Sequence, residues 1–202
     1  MSDEPIRPAA TVVLWRESPD GPQVLMGQRG EGAVFMPSKF VFPGGRVDDE
    51  DHAAARPGFL SPDCTRRLAL MAPDAPSPDV LVAAALRELT EETGLNLAAM
   101  EHPSLRFIFR AITPPGRTRR FDARFLLAHA DSLDGDGEDF GTASGELQHL
   151  RWLPLPDARA LDLPFITEVV LAEVAALVAG GDQPGVPFFD NSGSTPQFRR
   201  LV

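Results

Sequence analysis

Apolar and polar positions change their period several times along the chain, and each change predicts an element. Thr11–Trp15 is β-branched and aromatic and predicts a strand. The turn cluster Glu17–Gly21 separates it from a second strand, Gln23–Arg29, so the two form a hairpin. Phe40–Phe42 predicts a short strand ending at Pro43-Gly44-Gly45. From Arg46 to Pro78 the pattern breaks down under five prolines, with a short helix expected only over Cys64–Met71. This stretch reads as an insertion or lid, bordering a site where it meets the glycine corner.

The clearest helix follows. Val82, Ala85, Leu86 and Leu89 keep the i, i+3, i+4, i+7 spacing of a buried face. Ser77 suits the N-cap, Pro78 the first turn, and Gly94 the C-terminal stop. Strands are expected over Leu105–Ile112, Arg120–Ala128 and Leu147–Leu153, and a long apolar helix over Phe165–Val178. Residues 182–202 read as a C-terminal tail. The order β-β-β-α-β-β-β-α predicts an α/β (α+β) fold, a sandwich around a mixed sheet, in one domain over residues 1–181.

Composition narrows the function classes. The chain has 202 residues, 43% hydrophobic and 24% charged, which suits a globular domain. Its formal net charge of −10 disfavours binding to a nucleic-acid backbone, though a divalent cation can still recruit a small phosphate ligand. The one cysteine, Cys64, cannot form an internal disulfide, and no apolar stretch is long enough to span a membrane. These features predict a cytoplasmic setting with no membrane or nucleic-acid partner. The four histidines have no metal-ligand spacing.

One segment carries chemistry. In Arg87-Glu-Leu-Thr-Glu-Glu-Thr-Gly94, the glutamates Glu88, Glu91 and Glu92 lie at i, i+3 and i+4, within about 100° of the helix circumference. No lysine or arginine relieves them between Glu88 and Gly94. Like charges at this spacing repel. Hard carboxylate oxygens on a rigid element suit Mg²⁺ or Mn²⁺. A solvated acidic helix face is the plain alternative.

Together with Phe42-Pro-Gly-Gly45, this segment resembles the Nudix hydrolase signature, G-x5-E-x7-R-E-U-x-E-E-x-G-U, with U a bulky aliphatic residue. Its second half is complete, from Arg87 to Leu95. Its first half runs from Gly45 to Asp51, and 28 residues (87 − 59) separate the halves beyond the usual spacing. Either Asp51 or Asp79 fills the first acidic position.

The resemblance implies a Nudix-type α/β/α sandwich and hydrolysis of a diphosphate linkage. It assigns metal binding to Glu88, Glu91, Glu92 and the Gly44 carbonyl, with Glu88 and Glu91 also catalytic. Arg87 then braces the box against Asp79 or Asp51, and Gly45 and Gly94 are structural. A further acid is expected from a later loop: Glu146, with Glu138 and Asp139 as fallbacks. Arg29 and Arg120 are candidate substrate contacts, Arg120 lying in the basic run Arg117–Arg124.

The substrate is less defined. Leu25-Met-Gly-Gln-Arg29, with Phe42-Pro-Gly-Gly45 thirteen residues on, matches the spacing of the coenzyme A diphosphatase branch. Val34 and Ser38 stand where that branch has arginine and glycine. The run Ile112-Thr-Pro-Pro to Phe125 and the long insertion look like the acyl-CoA diphosphatases and their bacterial relatives. CoA or acyl-CoA is the first expectation; ADP-ribose, NADH and dinucleoside polyphosphates are alternatives. A nucleotide-sensing module without catalysis is the competing class, and a homodimer is one expected assembly.

Overall fold

The computed structural model describes residues 4–98 and 100–202. One nine-stranded mixed sheet organises them, with the path β3-β2-β1-β6-β5-β8-β9. In chain order the strands are β1 (Ile6–Arg16), β2 (Gln23–Arg29), β3 (Phe40–Val41), β4 (Gly44–Arg46) and β5 (Arg106–Ile112). They continue with β6 (Arg120–His129), β7 (Leu147–Pro154), β8 (Val186–Asp190) and β9 (Gln197–Leu201). Off the main path, β4 pairs with β1 and β7 with β2. The helices are α1 (Asp49–Ala53), α2 (Pro62–Leu68), α3 (Pro78–Thr93), α4 (Leu155–Ala158) and α5 (Phe165–Val178).

Strand alternation splits the core into two layers. Ala10, Val12 and Leu14 of β1 face α3 and pack with Leu81, Val82, Ala85 and Leu89. Val13 points the other way, into the cluster formed with Val170, Leu171 and Val174 of α5. The expected α/β/α sandwich is therefore present. The spine is the parallel pair β1–β6, in register from Ile6↔Arg120 to Trp15↔His129. β1 begins five residues before the expected strand, because this pairing holds the proline-containing segment Ile6–Ala10 extended.

The helix termini obey local rules. The Ser77 side chain accepts from the Val80 N–H, and Pro78 fills the first turn of α3. Gly94 ends α3 in the left-handed region at φ 79°. The expected span of α5 is matched residue for residue.

Three regions differ from expectation. The glycine corner continues as β4, whose Gly44 and Gly45 pair with Thr11 and Ala10. The insertion is largely a docked part of the core. Phe59, Cys64 and Leu68 pack in the α3-side layer, and the Phe107 N–H donates to Cys64 Sγ at 3.4 Å. Its helix α2 starts at Pro62 because Ser61 caps it. The segment expected as a tail supplies β8 and β9. β8 pairs in parallel with β5, and Phe188 is 1% exposed beneath the Arg110 guanidinium. Two consecutive phenylalanines between prolines and glycines gave no alternation by which to recognise that strand.

Phe188→Ala should therefore destabilise the protein by about 3–5 kcal/mol, the usual loss for a phenylalanine truncated in a packed core. Urea unfolding measures it; a loss below about 1 kcal/mol would show that the β8–β9 hairpin is peripheral to the fold.

Candidate active site

The site forms where the C-terminal half of α3 meets the β4 corner. The apolar stripe of α3 ends near Leu89, and the last two turns of the helix carry Glu88, Glu91 and Glu92. Space excludes a side chain at Gly44, and at Gly45 one would displace the Glu88 carboxylate. A β-carbon on Gly44 would lie 2.6 Å from Thr11 Cα, and one on Gly45 would overlap the Glu88 carboxylate. The bare Gly44 lets β4 lie against β1, and the bare Gly45 leaves room for the Glu88 carboxylate.

Glu92 is 3% exposed, and its carboxylate accepts from the Gly44 N–H at 2.8 Å. Burial pushes its pKa up to about 8, against the lowering effect of that hydrogen bond; the nearby Glu88 charge raises it further. Burial likewise raises Glu88, opposed by Arg87 and reinforced by Glu91 and Glu146. The contact at Gly44 is made by its N–H, whereas a metal ligand would be its carbonyl.

Arg87 is the hub. Its Nε and Nη2 pair with the two oxygens of Asp51 at 2.9 and 3.1 Å, and Nη2 also donates to the Arg46 carbonyl at 3.0 Å. The first acidic position of the box is thus filled structurally by Asp51, which is 2% exposed at the end of a capping box formed with Asp48. Asp79 lies in the first turn of α3, where its carbonyl accepts from the Arg56 N–H, away from this pair.

Helical geometry places Arg87 about 100° from Glu88, an offset that predicts separation from the glutamates. Its length overcomes that offset: Nη1 donates to Glu88 at 2.9 Å and to Glu91 at 3.1 Å. Glu91 is accordingly turned toward Arg87, with its side chain 54% exposed. Among the described residues, no three metal-ligating side chains converge on a common point.

The later acids separate clearly. Glu146, ahead of β7, lies close enough for its charge to raise both Glu88 and Glu92. Glu138 instead pairs with Arg16 at 2.6 Å, and Asp139 accepts from the Gly141 N–H within its own loop. Arg29 also lies near the cluster, where its charge lowers Glu92. Its buried Nε has no hydrogen-bond partner among the described residues.

Arg120, expected as a substrate contact, is turned into the protein interior. It is 2% exposed and donates to the carbonyls of Thr113 and Asn191. Arg124 is also buried, sharing Asp122 with Arg110. Two cavities, of about 370 and 420 Å³, lie beside α2 and beside Trp152, and no glutamate of α3 lines either. Arg46 was missed as a contributor because its carbonyl, not its side chain, meets Arg87; sequence carries no signal for that.

The site thus joins a glycine corner to an arginine-braced acidic helix, on a mixed sheet packed between helices. Residues 76–174 match the NUDIX domain family. A NUDIX hydrolase from Alicyclobacillus acidocaldarius superposes with a TM-score of 0.63 at 26% identity, over 87% of this chain and 92% of that one. The NUDIX domain of Shewanella oneidensis NrtR, complexed with ADP ribose, shares the fold at 15% identity and a TM-score of 0.56, over 87% and 90%. A Caenorhabditis elegans Ap4A hydrolase shares it at 18% identity and 0.51, over 87% and 99%. No curated protein matches the chain. Residues 76–174 thus match a Nudix domain, the chain has the fold of a NUDIX hydrolase, and these findings support an enzyme of the pyrophosphohydrolase type.

Arg87→Ala should lower stability by about 3 kcal/mol, because it strands a buried Asp51 carboxylate. Glu91→Gln should change stability by less than about 1 kcal/mol, since its pair is half exposed. Thermal melts in chelator compare the two; equal melting points would remove Arg87 from its bracing role.

Glu92 predicts a pH signature. Its folded pKa of about 8 exceeds the ordinary 4.5, so its contribution is fully present below about pH 4.5 and lost as pH rises through about 8. In chelator, the parent should lose on the order of a few kcal/mol relative to Glu92→Gln between pH 5 and roughly 9. Parallel stability profiles for the two would show that Glu92 does not carry this burden.

Proposed function

We propose that the protein hydrolyses the diphosphate linkage of a nucleoside diphosphate-X compound with the help of Mg²⁺ or Mn²⁺. The observation that carries this is the enforced approach of acids: Glu92 buried, Glu88 pressed on Gly45, and Glu146 within electrostatic reach of both. Carboxylates raised by burial and by one another are relieved by a bound cation, and their hard oxygens suit a small divalent ion. The donor set therefore fits. Glu88, Glu92 and Glu91 would hold the metal, Glu91 after leaving Arg87, with the Gly44 carbonyl beside them.

When bound, such an ion neutralises diphosphate oxygens and acidifies water. The protein's own residues do the rest. Glu146, with Glu88 and Glu91, supplies carboxylates that orient the attacking water and take its proton. Arg29, whose charge acts on Glu92, would offer its guanidinium to a phosphate oxygen. Arg87 and Asp51 hold the helix against the corner and do not touch substrate.

For the X group, CoA or acyl-CoA is the favoured reading, resting on the Arg29-to-Phe42 spacing and the run from Ile112 to Phe125. The two ligand-named neighbours, an ADP ribose complex and an Ap4A hydrolase, keep ADP-ribose and dinucleoside polyphosphates as the second reading.

Incubation with CoA, acyl-CoA, ADP-ribose, NADH and a dinucleoside polyphosphate, with Mg²⁺ or chelator, tests this. Metal-dependent release of a phosphorylated fragment is expected, with water-derived oxygen in one product. Glu91→Gln should slow turnover by roughly a hundredfold or more while the fold persists. Turnover unchanged by chelator would overturn the metal-assisted reading, and binding without cleavage would establish a sensing module.

A further inference from the structure

Glu146 stands on a loop, yet the structure gives that loop little freedom. Its far end is fixed twice: Trp152 Nε1 donates to the Gly137 carbonyl at 2.9 Å, and Arg16 pairs with Glu138. Its near end lies on the C-terminus of α3. The Ser144 N–H donates to the Glu91 carbonyl at 2.7 Å, satisfying one of the carbonyls that a helix end leaves open. Ser144 Oγ then accepts from the Glu146 N–H at 3.3 Å. One residue, Glu91, thus gives its side chain to Arg87 and its carbonyl to the loop that delivers Glu146.

Gly94 is the floor of this arrangement. Its φ of 79° could be met by asparagine, which tolerates the left-handed region. The space could not. A β-carbon on Gly94 would lie 2.5 Å from Thr142 Oγ1, 3.4 Å from the Ala143 nitrogen and 3.5 Å from the Thr142 carbonyl carbon. A β-carbon here would displace the Thr142 hydroxyl and touch the loop backbone, so a longer side chain such as asparagine would press on the loop that carries Glu146.

We propose that Gly94 is a positioning residue for the reaction: by leaving room for Thr142 it docks the loop on α3 and fixes Glu146 beside Glu88 and Glu92. The inference rests on the reading of Glu146 as a working acid of a diphosphate hydrolase. It separates two demands on one glycine, conformation and space, and assigns the catalytic consequence to space.

The protein tests it with Gly94→Asn, Gly94→Asn/Thr142→Gly and Glu146→Gln. Two readouts are needed: hydrogen exchange of the Ser144 amide, and steady-state hydrolysis with Mg²⁺ across pH. Gly94→Asn should deprotect Ser144 while the interior amides of α3 stay protected. Its kcat should fall by about tenfold to a hundredfold with KM changed less, the scale expected for a misplaced catalytic group. Its pH profile should approach that of Glu146→Gln. Removing the Thr142 side chain should restore Ser144 protection and bring kcat within about threefold of the parent.

A double variant as slow as Gly94→Asn overturns the spatial role and leaves only the helix cap. So does Gly94→Asn with parental kcat and Ser144 protection. Glu146→Gln turning over like the parent overturns the proposal differently, by removing Glu146 from the reaction. A parent that cleaves no diphosphate sinks the functional reading itself, while the exchange measurements still report whether Gly94 docks the loop.

Discussion

The Arg87–Asp51 pair is the constraint on which the site depends. Three segments that would otherwise drift apart meet at one guanidinium: α1 through Asp51, the β4 corner through the Arg46 carbonyl, and α3, which carries Arg87 itself and adds Glu88 and Glu91. A planar fork with five donors can satisfy such a set, and a lysine cannot. The acidic partners hold the guanidinium firmly in its charged form, with Asp51 the largest influence. Without that charge, Glu88 and Glu91 would face one another unrelieved.

The sheet decides where this hub can be built. Parallel pairing of β1 with β6 makes β1 central and leaves its other edge for β4 and β2. Because β4 carries Gly44 against β1 and Gly45 beside Glu88, Glu92 reaches the Gly44 N–H and the Glu88 carboxylate fits against the corner. The N-terminal half of α3 is a core element and its last turns are a chemical one. The change falls between Leu89, which is fully buried, and Glu91, which is exposed. The rigidity needed to hold repelling acids thus comes from burial a turn away.

Much of this was legible in the sequence. Helix α3 announced itself through the Ser77 cap, the apolar period and the Gly94 stop, each a local rule with a local cause. The acidic spacing and the glycine corner pointed to the same place. What stayed hidden depended on distant partners. Asp51 and Asp79 were equivalent candidates along the chain, and only the fold of α1 against α3 chooses Asp51. Arg120 and Arg124 looked like phosphate binders in an acidic chain; pairing with β1 and β5 buries them instead. β8 and β9 carry no alternation of their own and exist because β5 offers an edge.

The same reasoning explains why the insertion between the box halves does no harm to the signature. An extra chain of this length costs little loop-closure entropy, since that cost grows only with the logarithm of length. It must, however, return the acidic partner to Arg87. The insertion does this at its start, where α1 places Asp51 after a capping box, and then uses its remainder elsewhere. Phe59, Cys64 and Leu68 cover the α3-side core, and the carbonyls of Leu70 and Met71 accept from Arg110. Arg110 in turn shares Asp122 with Arg124, so two buried guanidiniums lean on one carboxylate, and burial lowers Arg124 to about 10. The insertion's carbonyls take up part of the hydrogen-bonding demand of that excess charge. The extra segment is therefore tied at one end to the acidic site and at the other to a basic knot inside the sheet, which makes it part of the domain's architecture.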